Sequence, residues 1–127
     1  MRKVTKVAFA LFLVVSSPSL AEMSHGISAR EAGARYAQAL GASETCPGVH
    51  ISKSAEALRQ KFRGGKSNEF DVQSAEVYSS WQKVKNCSRP KDPNPCRIMI
   101  QLSCRSAVSE IGPSGSAVPN LLEIGPR

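Results

Sequence analysis

Four cysteines, Cys46, Cys87, Cys96 and Cys104, constrain this chain more than any other feature. An even count in a short chain that opens with an export signal predicts two disulfides and a small, cross-linked fold. The signal is read from a basic start (Arg2, Lys3, Lys6), an uncharged apolar run over residues 7–15, and a small-residue cleavage site at Ser19-Leu20-Ala21. The apolar run is about half the roughly 20 residues that a spanning helix needs, and Pro18 interrupts it before the cut. No second hydrophobic run follows. The expected product is therefore residues 22–127, exported to the periplasm or secreted, not membrane-spanning and monomeric.

Cleavage after Ala21 removes Arg2, Lys3 and Lys6 but no acid, which takes the formal charge from +7 to +4. About 106 residues remain, enough for one domain with a modest core.

Helical periodicity dominates what is left. Ser28 followed by Glu31 has capping-box spacing, and Ala29, Ala32, Tyr36 and Leu40 recur at three or four residues until Gly41. This predicts a first helix over 28–40, stopped by the glycine. Cys46-Pro47-Gly48 reads as a turn, and a second helix from Ser52 or Ser54 carries Ala55, Leu58 and Phe62 to a stop at Gly64-Gly65. Phe70, Val77, Trp81 and Val84, with Tyr78 beside them, mark the apolar face of a third helix. The stretch 88–95 holds three prolines and must be a loop. Asn94 suits a helix cap and Pro95 a first helical position. From Cys96 to Ile111, Cys96, Ile100, Cys104, Ala107 or Val108, and Ile111 share one helical face, although 98–102 alone also suits a strand. Gly112-Pro113 ends that segment. The predicted architecture is all-α: a disulfide-stapled bundle of about four helices over 22–112, with an irregular tail over 113–127. The tail is expected to pack Val118, Leu121 and Leu122 on the bundle and then fray.

Helical spacing also restricts the cross-links. Cys96 and Cys104 on one helix would be separated by about 12 Å, beyond the roughly 7 Å that a disulfide tolerates. Of the two remaining pairings, Cys87–Cys96 with Cys46–Cys104 is preferred, because Cys87 and Cys96 bracket the Pro-rich loop.

Few motifs carry chemistry. Cys46 and His50 are four residues apart, but a zinc site wants four ligands, and oxidation consumes thiolates as disulfides. No metal or cofactor is therefore expected. Neither Cys-x-x-Cys nor Gly-x-Ser-x-Gly occurs, which argues against a thioredoxin-like redox site or a nucleophile elbow. His50 could pair with Asp71, Glu69 or Glu76 as an acid–base couple, so a small secreted hydrolase is one alternative. An envelope stress protein or chaperone is another.

The leading expectation is a non-enzymatic binding module. Arg59, Arg63 and Lys66 recur on the second helix and just beyond it, while Lys83, Lys85, Arg89, Lys91 and Arg97 surround the Pro-rich loop. Such cations suit an anionic envelope or extracellular partner. Nucleic acid is disfavoured, since no aromatic residues interleave with the charge.

Overall fold

The computed structural model describes residues 26–63, 65, 68–87 and 91–126. The segment 1–21, expected to be an export signal, and the cations Lys66 and Arg89 lie outside the described residues. Four helices dominate: α1 (Ala29–Thr45), α2 (Lys53–Phe62), α3 (Glu69–Lys85) and α4 (Asn94–Ile111). Two short strands, β1 (Val49–Ile51) and β2 (Leu122–Ile124), complete the fold. The all-α bundle is the architecture, with one two-stranded ribbon added to it.

The helix starts follow local chemistry. Ser28 Oγ accepts the Glu31 backbone N–H at 3.1 Å, and Ser52 Oγ accepts that of Ala55 at 3.3 Å, each satisfying an orphan donor of the first turn. At α4 the cap is Pro93 rather than Asn94. Asn94 lies inside the first turn, where its N–H donates to Asp92 Oδ1 and its side chain accepts from Arg97.

The first helix does not stop at Gly41. It continues to Thr45, and Gly33 and Gly41 are both buried within it, two turns apart. A Cβ on Gly33 would lie 2.2 Å from the Phe70 carbonyl oxygen. These glycines let α3 approach the α1 backbone, so they serve packing rather than termination. Tyr36 across that seam and Phe62 at the end of α2 each place a ring centroid 5.9 Å from that of Phe70.

Cys46-Pro47-Gly48 is a turn, with Gly48 at φ +70°, a conformation glycine reaches without strain. β1 follows and pairs antiparallel with β2 in the register Val49 to Ile124, His50 to Glu123 and Ile51 to Leu122. The tail therefore does not fray after Leu122. It first folds back on the end of α4: Ser116 donates to Ser109 O, Ala117 and Val118 to Glu110 O, and Leu121 to Ile111 O. Those bonds satisfy carbonyls that a helix end leaves unpaired. Ile111, Leu121 and Leu122 are the largest side chains in full burial, joined in the core by Leu58, Phe70, Trp81 and Val118.

Two disulfides fasten this arrangement. Cys46 bonds to Cys104, tying the end of α1 to the middle of α4. Cys87 bonds to Cys96, closing the Pro-rich loop between α3 and α4.

Candidate binding surface

The cations singled out by sequence fall into two groups. Phe62 stacks on Phe70, so the end of α2 meets the start of α3. Lys83 lies thirteen residues further along α3, about 20 Å away at 1.5 Å per residue. Arg59 and Arg63 therefore sit at one end of α3, and Lys83, Lys85, Lys91 and Arg97 at the other.

The two ends differ in chemistry. Arg59 is engaged locally: its Nη1 is 2.9 Å from Glu56 Oε1, and its guanidinium lies over the Tyr36 ring, 6.0 Å from the centroid. The hydrogen bonds from Arg59 and Gln60 hold the Glu56 carboxyl below its ordinary range. At the other end, Lys83 and Lys85 occupy the last turn of α3, where they favour the helix dipole. Lys91 is exposed in the loop and Arg97 is exposed on the first turns of α4, with its Nη2 2.7 Å from Asn94 Oδ1.

The sequence distributes charge just as unevenly. Residues 83–109 carry six Lys or Arg against one acid, Asp92, whereas the rest of 22–127 carries eight against nine. The net positive charge of residues 22–127 thus belongs to the end of α3, the loop and α4.

Apolar surface accompanies that charge. On α4, Ile98, Met99 and Leu102 are 52%, 38% and 55% exposed. Ile98 and Leu102 are each two residues from Ile100, hence turned about 160° from it around the helix. Cys96, Ala107 and Ile111 face the core. So α4 carries two apolar stripes, one buried and one open to solvent. The open stripe adjoins a groove of about 350 Å³ between α3 and α4. Trp81, Val84 and Leu102 form its apolar side, and Ser80, Ser103 and Ser106 its polar side. Arg105 lies seven residues after Ile98 and so on the same face, at the far end of the stripe.

Sequence reading missed this stripe by following the single face through Cys96, Ile100 and Cys104. A signal was present, because Ile98, Met99, Ile100 and Leu102 are more apolar side chains than one helical face can bury.

The cysteine and histidine candidates are engaged structurally. Cys46 is bonded to Cys104, so its sulfur is not a thiolate ligand beside His50. His50 sits on β1 with its Nε2 2.7 Å from the Gly125 carbonyl oxygen, and the acid opposite it in register is Glu123. Asp71, Glu69 and Glu76 all belong to α3. Among the described residues no helix is long and apolar enough to cross a membrane. Comparison with protein-family profiles, with curated proteins and with solved structures returned no match.

Proposed function

We propose that this protein is an exported binding module for an anionic envelope or extracellular partner, and that it engages this partner through the end of α3 and the outer face of α4. The observation that carries the reading is the coincidence of the charge excess over 83–109 with the exposed stripe Ile98, Met99 and Leu102. Cations scattered for solubility alone would be interspersed with acids in similar number; here six cations stand against the single acid Asp92. Exposed apolar residues beside cations supply short-range contact as well as long-range attraction. Two disulfides in a chain of this size support an oxidising compartment.

Retention on an immobilised sulfated polysaccharide tests this reading. Lys83→Glu with Arg97→Glu should sharply lower the salt concentration needed for elution. Arg59→Glu with Arg63→Glu makes the same charge change and should have a much smaller effect. Equal losses from the two pairs would mean that only net charge matters, and the proposed surface would be wrong.

A further inference from the structure

Resting on that reading, we infer that the outer face of α4 is a membrane-surface contact, seated reversibly on a leaflet that contains anionic phospholipid. A helix apolar on two opposite faces needs a second apolar environment. The buried face of α4 has the core; Ile98, Met99 and Leu102 face outward from it. Their stripe lies on the crest of a helix and is therefore convex. A bilayer interface conforms to such a crest, taking apolar side chains about 5–10 Å deep while cations remain among the head groups. Arg105 shares the face of the stripe, and Arg97 flanks it about 100° around the helix from Ile98; the two cations lie about 12 Å apart along the axis. Lys83, Lys85 and Lys91 extend the positive surface, and Asp92 is the one carboxylate in the stretch.

A second copy of the chain fits this face poorly. A two-fold contact through α4 would bring Arg97 and Arg105 of both copies together. Three partly exposed side chains also offer far less than the roughly 800 Å² per partner of a stable interface. Anionic head groups supply the opposite charge, at a strength that falls off within a Debye length.

The test is co-sedimentation of the disulfide-bonded protein with vesicles of phosphatidylcholine alone, and of phosphatidylcholine and phosphatidylglycerol in equal parts. Binding should require phosphatidylglycerol and weaken with salt. Ile98→Ser with Leu102→Ser should reduce partitioning at least tenfold and leave the melting temperature nearly unchanged, since both side chains are exposed. Val72→Ser, at an equally exposed apolar position on α3, should leave partitioning unchanged. If the protein binds the polysaccharide through Lys83 and Arg97 but ignores the vesicles, the lipid inference fails and the anionic-partner reading stands. Vesicle binding indifferent to Ile98 and Leu102 also overturns the inference. If the polysaccharide experiment fails as well, the binding reading falls with it.

Discussion

Trp81 packs on the backbone of Gly41: a Cβ built on that glycine would lie 2.2 Å from the indole Cγ and 2.5 Å from the Trp81 Cβ. Two effects of Gly41→Ala therefore compete. Helix propensity favours alanine by about 1 kcal/mol at an interior position. Against it stands a clash at the root of a buried indole, where overpacking costs about 1–3 kcal/mol or more. The atoms met are not the far end of a flexible side chain, so the clash should win. Gly41→Ala is expected to lower the denaturant midpoint with little change in slope. A raised midpoint would show that α1 and α3 can separate at no cost.

The same contact makes Trp81 the anchor of α3. It is 7% exposed, and Trp81→Ala should cost about 3–5 kcal/mol. Native emission should be blue-shifted and move red on unfolding, because this is the chain's single tryptophan. Solvent-like emission from the native protein would contradict the packing.

The two cross-links should differ in their contribution. Cys46–Cys104 spans 58 residues and Cys87–Cys96 spans 9. Chain-entropy reasoning assigns them about 4 and about 2.5 kcal/mol respectively. Cys46 also belongs to the buried core, so replacing it removes packing as well. Paired Cys→Ala variants, compared by thermal melting, should rank in that order. The reverse order would mean that the short loop restrains the native state more than entropy allows.

How far the fold was legible follows from the range of the interactions. Residues of α3 announce themselves through Phe70, Val77, Trp81 and Val84, because one stripe of a long helix is local information. Gly41 has the local look of a helix stop, since the indole that needs it stands forty residues away in sequence. β1 has three residues, too few for alternation to register, and its partner lies some seventy residues downstream. Asn94 and Pro93 compete for one cap, and nothing local decides between them. The surface was half legible. Its cations are plain in the sequence, but whether Arg59 and Arg63 share a surface with Lys83 and Arg97 depends on the direction α3 takes between them, which is not local information.

Both tyrosines should titrate late. Tyr78 Oη donates to Glu44 Oε2 at 2.8 Å, and that hydrogen bond, with the nearby negative charge, raises its pKa. Burial chiefly raises that of Tyr36, with Glu56 adding and Arg59 opposing. The folded state thus keeps protons that the unfolded chain releases near pH 10. The associated stability is fully present below about pH 10 and is lost as pH rises through the folded pKa values. Tyrosinate absorbance of the native protein should appear at higher pH than in denaturant, and Tyr78→Phe should leave only the Tyr36 component. Coincident titrations would show that neither environment persists in solution.

The tail carries the last expectation. Leu121 and Leu122 are each 1% exposed and Val118 is 4% exposed, so the chain after Gly112 lines the core that α4 faces. Leu122→Ala alone should cost about 2–5 kcal/mol, a large share of the roughly 5–15 kcal/mol that holds a domain folded. His50→Ala removes a hydrogen bond to Gly125 at the edge of the ribbon and should cost only about 1 kcal/mol. Ending the chain at Gly112 exposes Ile111 and frees the carbonyls of Ser109, Glu110 and Ile111 that the tail now satisfies. That truncated protein should retain helical circular dichroism yet melt without a cooperative transition. A melt as sharp as that of the full chain would mean that the four helices close their own core and the tail merely covers it.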